Sequence, residues 1–333
     1  MNWLITSDIH LSDRPRDAYR FGLFKWLAKQ QAKYNTTSTF ILGDLTQEKD
    51  NHSATLVNHT IDEMTQLRPP IYILRGNHDG YSPDDPFFRF LNCIEGFNFV
   101  SVASIGNGDF PSLIPHCRTQ REFDEICQVI CRPGKPVMLH QTFEGAIAET
   151  GVKLNGLKPT VLKATNPSQV WSGDVHKPQR QGIVTYIGSP YHVRFGDDFE
   201  PRVLLVKGDR ATNLYFDAPR KWMLRVRSAA QIKQHKRLLK GDQIKVILEL
   251  NREEALDWQQ HRQAALSACK DLSLECFGID LHIAGGSKKE GNNKPRQLRT
   301  PEQIMTAFCQ HEGLSNGLST TGFNILKLSL NQC

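Results

Sequence analysis

Residues 71–79 read IYILRGNHD. Ile71–Leu74 is a short apolar and aromatic run of β type, and it stops at Gly76-Asn77-His78-Asp79. An amide, an imidazole and a carboxylate therefore follow directly on a buried strand. Upstream, Thr39–Leu42 ends in Gly43-Asp44, and Trp3–Thr6 ends in Asp8-Ile9-His10. Downstream, Val137–Leu139 ends in His140, and Val170–Ser172 ends in Gly173-Asp174-Val175-His176. Between the early strands lie amphipathic helical patterns, Phe21–Tyr34 and Ala54–Leu67, the second preceded by cap candidates in Asp50-Asn51-His52-Ser53. In α/β sheets, sites form outside the carboxyl ends of the strands. Here metal-type ligands recur at such ends along the first half of the chain.

The residue types fit one chemistry. Cleaving a phosphodiester requires an oxygen nucleophile in line with the leaving group and neutralisation of charge on the phosphoryl oxygens. Two divalent ions about 3.5–4 Å apart can do both. A mixed set of imidazole, amide and carboxylate suits Mn²⁺, Fe or Zn²⁺ better than an all-oxygen Ca²⁺ cage. Asp174 and His176 are two apart, so alternation points both to the same side.

From Gly182 the pattern turns strand-like, over Gly182–Ile187, Arg202–Lys207 and Thr212–Phe216. A second unit starts near Pro219, with strands Trp222–Val226, Gln243–Leu250 and Leu272–Ile283, and helices Ala229–Leu239 and Arg252–Ala268. Gly285–Arg299 is rich in Gly, Asn and Lys and reads as a loop. Pro301–His311 reads as a terminal helix behind a Thr300 cap. Of 333 residues, 39% are hydrophobic and 23% charged, the balance of a soluble globular chain. No apolar run approaches the roughly 18 residues of a membrane span, and the first residues lack a signal-peptide pattern. The eight cysteines form no CxxC pair, and Cys127 and Cys131 read as neighbours on a helix; reduced thiols in a cytoplasm are expected. The net charge of +6 suits a polyanionic partner.

DIH, GD, GNHD, a lone His and GDVH, in this order, resemble the calcineurin-like metallophosphoesterase superfamily over residues 1–217. The resemblance implies a four-layer αββα sandwich of α/β class. It implies that Asp8, His10, Asp44 and His176 hold one metal, and that Asp44, Asn77, His140 and the residue at 174 hold a second. Asp44 would bridge. His78 would contact the phosphate and protonate the leaving oxygen, and Asp79 would orient His78. Position 174 is usually His in the superfamily, and here it is Asp.

Tyr186-Ile187-Gly188-Ser189-Pro190 is similar to the Y-x-G-S/T-P segment of SbcD-type DNA repair nucleases, and His192–Asp197 fits their compact bacteriophage members. That family adds a small α+β capping domain, matched in size by residues 218–285, leaving 286–333 as a basic loop and helical tail. The resemblance implies an Mn²⁺-dependent DNA exonuclease and endonuclease, with Mg²⁺, Fe or Zn²⁺ as alternatives. It also implies DNA and an SbcC-type ATPase as partners, with a homodimer as a further expectation and a phage-infected bacterial cytoplasm as the setting. His52, Tyr81, Lys177, Arg180 and Arg194 are candidate DNA contacts. Gln47 stands where some such nucleases carry a His. A phosphatase or cyclic-nucleotide phosphodiesterase on the same scaffold is the alternative, and a non-catalytic binding subunit is a third reading.

Overall fold

The computed structural model describes residues 2–82, 84–283 and Thr320. Its strands are β1 (Asn2–Thr6), β2 (Ser38–Ile41), β3 (Ile71–Leu74), β4 (Phe97–Val100), β5 (Ser112–Ile114), β6 (Val137–His140) and β7 (Val170–Gly173). They continue with β8 (Gln179–Gln181), β9 (Val184–Tyr186), β10 (Val203–Lys207), β11 (Arg210–Leu214), β12 (Lys221–Val226), β13 (Gln243–Leu250) and β14 (Glu275–Ile283). The helices are α1 (Gly22–Tyr34), α2 (Ala54–Met64), α3 (Gln120–Ile130), α4 (Thr160–Thr165), α5 (Ala229–Lys233) and α6 (Trp258–Asp271).

One sheet has the order β11-β10-β1-β2-β3-β4, and a second has the order β5-β6-β7-β9-β8. β1 to β4 are mutually parallel, as are β5, β6, β7 and β9. Alternation divides each strand between two cores. Trp3, Ile5, Phe40, Leu42 and Leu74 face Leu113, Met138 and Trp171 between the sheets. Leu4, Ile41, Ile71 and Ile73 face Phe24 and Leu27 of α1 and Leu56 and Met64 of α2. Val137, Leu139 and Val170 face Phe123 and Cys127 of α3 and Leu162 of α4. The result is the expected αββα sandwich, and burial on both faces is why these strands read as near-continuous apolar runs.

β12, β13 and β14 form a separate parallel sheet, whose residues Leu224, Val246 and Leu248 pack on Ile232 of α5 and on Ala265 and Cys269 of α6. The helix predicted over 229–239 stops at Lys233, and the one predicted over 252–268 is a short 3-10 turn, Glu254–Asp257, followed by α6. β4 and β5 were not anticipated, being only four and three residues long. α3 carries Phe123 and Cys127 inward at helical spacing behind a Thr119 cap, and Cys131 ends it. Among the described residues no helix is long and apolar enough to cross a membrane. The loop and helix predicted over 285–311 lie outside the described residues.

Candidate metal centre

The loops after β1, β2, β3, β6 and β7 converge at one end of the sandwich. Backbone bonds from Asp8 N to the Gly43 carbonyl (3.1 Å) and from His10 N to the Asp44 carbonyl (2.9 Å) lace the first two loops together. Asp174 N donates to Asp8 Oδ1 (3.1 Å), joining the two sheets. Asp8, His10, Asp44 and Asp174 all adopt left-handed backbone, with φ of 53°, 48°, 54° and 75°. Such residues turn the chain sharply off a strand, and short polar side chains tolerate the conformation. The glycines of the motifs have a steric reason. A Cβ on Gly43 or Gly173 would overlap the His140 ring, and one on Gly76 would overlap the Asp44 carboxylate.

Two groups of donor atoms result, Asp8-His10-His176 and Asp8-Asp44-His140, with the atoms of each within 4.8 Å of one another. Asp44 spans them: Oδ2 lies 3.6 Å from His10 Nε2, and Oδ1 lies 3.4 Å from His140 Nε2. Asp8 is common to both groups, a sharing the sequence motifs assigned to Asp44 alone. Asn77 Oδ1 and Asp174 Oδ1 stand 3.4 Å and 3.7 Å from His140 Nε2. All seven predicted ligands are thus brought together.

The electrostatics ask for cations. Burial pushes Asp8 up to about 8 and raises Asp44 well above the usual carboxylate range. Burial also holds His10 far below its ordinary value, with His176 beside it adding to the effect, and brings His176 down to about 4. The imidazoles of His10 and His176 are therefore neutral, the form that ligates metal. His10 Nε2 and His176 Nε2 approach to 3.0 Å. Two nitrogens about 2.1 Å from one ion and at right angles around it lie about 3.0 Å apart. Asp8 Oδ2 is buried without a partner. His140 Nδ1–H donates to the Leu42 carbonyl, which leaves Nε2 free to ligate. These residues fit divalent cations. Asp174 is lowered: burial opposes its charge, but His140 and a hydrogen bond from Thr142 outweigh it.

His78 stands edge-on to His10, with ring centroids 5.1 Å apart, and its backbone N–H donates to Asp44 Oδ1 (2.9 Å). Its Nδ1 lies 2.8 Å from the Gln47 carbonyl, an acceptor only, so Nδ1 carries the proton and Nε2 is the reactive nitrogen. This corrects the role assigned to Asp79. The Asp79 carboxylate accepts from the backbone N–H groups of Asp44 (2.9 Å), Leu45 (2.9 Å) and Gly76 (2.6 Å), and so ties the β2 and β3 loops together. Its oxygens serve those amides, and Gln47 orients His78.

The candidate DNA contacts divide. Tyr81 is 68% exposed, with the Lys49 ammonium 5.4 Å from its ring centroid. Lys177 is half-buried beside His176. Arg194 lies at the site but pairs with Glu149 at 3.4 Å, and both charges act on His176. His52 does not face the site as a free donor. Its Nε2 lies 2.8 Å from Thr46 Oγ1, and its ring packs on Phe87 and Phe88. Arg180 lines a different cleft, with Thr185, Arg202 and Asn213. Tyr186 is buried, its hydroxyl accepting from Phe143 N (2.9 Å).

Sequence reasoning missed several neighbours. Arg20 donates to the carbonyls of His10 and Val193, fixing a ligand loop from behind. Thr142, Glu149 and His116 also border the ligands. None carries a motif, and only the strand-end position of His116 offered a signal.

A family model described as calcineurin-like phosphoesterase matches residues 1–209. A solved structure from work characterising an archaeal phosphodiesterase is similar at 14% identity and a TM-score of 0.36, covering 64% of this chain and all of that one. Among curated proteins none matches.

Proposed function

Since the chain belongs to the calcineurin-like phosphoesterase family and is a hydrolase of phosphoesters, we propose that its substrate is DNA, cleaved at phosphodiester bonds with Mn²⁺ in both positions. The observation that supports this reading most is the pair of ligand groups joined through Asp8 and Asp44, with His78 alongside. Asp8, His10, Asp44 and His176 would hold one cation, and Asp44, Asn77, His140 and Asp174 the other. When bound, such a pair acidifies water and neutralises charge on a phosphoryl oxygen. His78 presents Nε2 to the leaving oxygen and, when both ring nitrogens carry a proton, passes the Nε2 proton to it, while the Gln47 carbonyl holds Nδ1–H and fixes the ring. Tyr81, exposed, and Lys49, half-buried beside it, offer a ring and a charge to a nucleic-acid strand. The Y-x-G-S-P likeness favours DNA over small phosphate esters, and an SbcC-type ATPase and a second copy of the chain are the partners that likeness brings.

The test is incubation with labelled linear and circular DNA, bis(p-nitrophenyl) phosphate and a phosphomonoester, each with Mn²⁺, Mg²⁺ or EDTA. Cleavage of both DNA forms and of the diester, abolished by EDTA, is expected. Turnover of the monoester alone would refute the nuclease reading in favour of a phosphatase. Co-purification from the native host, with and without residues 300–333, tests the ATPase.

A further inference from the structure

The row of strand ends that builds the metal centre continues outward by one strand on each sheet. Beyond β3 lies β4, which ends at Val100, and beyond β6 lies β5, which ends at Ile114. Between these outer ends is a cleft of about 300 Å³ lined by Arg75, Ser101, Val102, Pro115, His116 and Ile126. Its floor adjoins the ligands. Arg75 immediately precedes Gly76, and the His116 ring meets the His140 ring edge-on, with centroids 6.2 Å apart.

Two features of this cleft leave capacity for contact unused. Arg75 is only 5% exposed, yet no carboxylate pairs with it among the described residues. One guanidinium nitrogen donates to the His116 carbonyl (2.6 Å), and Nε is buried without a partner. Val102 is 78% exposed at the rim, an apolar side chain left in water. Glu122 and Asp79 act on Arg75 through space, but neither forms a salt bridge with it. Glu122 accepts from Arg118 N (2.8 Å) at the start of α3, and Asp84 is solvated at the edge. A guest with a flat apolar face and an acceptor-rich edge would satisfy both features, and the volume lies at the lower limit of small-ligand sites.

Resting on the DNA reading above, we propose that this cleft receives the base of the nucleotide next to the scissile phosphate, its face against Val102 and His116 and its edge toward Arg75. Guanine fits best, because O6 and N7 offer an arginine two acceptors on one edge. A base seated there has left its duplex partner, so the preferred substrate is single-stranded or a frayed end.

The experiment uses the full chain and Mn²⁺, with single-stranded oligonucleotides carrying each base, or an abasic residue, on either side of one cleavable phosphate. Bis(p-nitrophenyl) phosphate, which has no base, is the reference. On one flank only, guanine should raise kcat/KM over the abasic residue by roughly 5- to 100-fold, mainly through KM. Arg75→Met should lower the ratio of oligonucleotide to reference kcat/KM and flatten the base preference. Equal cleavage of guanine and abasic flanks by the unaltered protein overturns the subsite alone. An equal fall on both substrates in Arg75→Met makes Arg75 structural and overturns its role. Hydrolysis of the reference without any cleavage of DNA overturns the nuclease reading, and the subsite with it.

Discussion

Replacing Asp17 with Asn tests how the sheet of β12 supports the metal centre. Asp17, Arg20 and Lys221 are 3%, 1% and 2% exposed. The Asp17 carboxylate accepts from Lys221 Nζ and from Ser12 Oγ (3.0 Å) and forms an ion pair with Arg20 Nη2 at 3.1 Å. Burial would raise Asp17, but the Arg20 guanidinium and Lys221 outweigh it and hold the carboxyl below its ordinary value. Asp17→Asn keeps the shape and removes the only negative charge in this group of three. Two buried cations then share no counter-charge, which costs about 3–5 kcal/mol. At about 2–4 °C per kcal/mol the melting temperature should fall by roughly 6–20 °C. Lys221→Met removes a cation that burial has already brought down to about 8 and leaves the Asp17–Arg20 pair intact. Its cost should be about 1 kcal/mol or less. The double variant should be more stable than Asp17→Asn, because only one unpaired cation remains. The metal centre should respond as well. Arg20 holds the His10 carbonyl, and loosening a group that orients a ligand typically weakens metal affinity about 10–100-fold. Differential scanning fluorimetry with and without Mn²⁺, and calorimetric Mn²⁺ titration, measure both effects. A melting temperature within 2 °C of wild type (roughly 1 kcal/mol or less) together with an unchanged titration would refute the reasoning.

Other outcomes follow from the site. His78→Asn should leave Mn²⁺ stoichiometry intact and lower turnover by roughly 10²–10⁴; loss of one metal equivalent would make His78 a ligand. Asp174→Ala should empty the position beside His140, while Asp174→His should retain substantial activity, and normal binding of two Mn²⁺ by Asp174→Ala would remove Asp174 from the ligand set. Gly76→Ala should abolish most Mn²⁺ binding, since its Cβ would overlap the Asp44 carboxylate; a normal titration would show that the loop gives way. If the ammonium of half-buried Lys49 meets duplex DNA, Lys49→Ala should reduce the salt slope of binding by about 1, whereas Arg180→Ala, in another cleft, should leave it unchanged.

The sequence by itself determined the sandwich and which candidate ligands meet at its strand ends. Strands buried on both faces must be apolar along their length, so the first polar residues after Thr6, Leu42, Leu74, Leu139 and Ser172 mark the carboxyl ends, where sites form. Gly43, Gly76 and Gly173 were legible as parts of those motifs, but the atoms they make room for were not. Only the tertiary structure decided how the second rank of side chains is used. Asp79 looks like a partner for its neighbour His78, yet its oxygens are drawn to the amides of Asp44, Leu45 and Gly76, because the β2 and β3 loops lie side by side. Gln47 acts through its carbonyl, which any residue carries, so its identity holds no signal for that role. Arg20 folds back from a nearby turn to support His10, and Lys221 comes from a distant strand to Asp17. Arg180 and His52, both basic and near motifs, turn to other surroundings. Periodicity and motif order report which way a residue faces along its own strand. The partner it meets depends on how separate loops pack, and no local pattern encodes that.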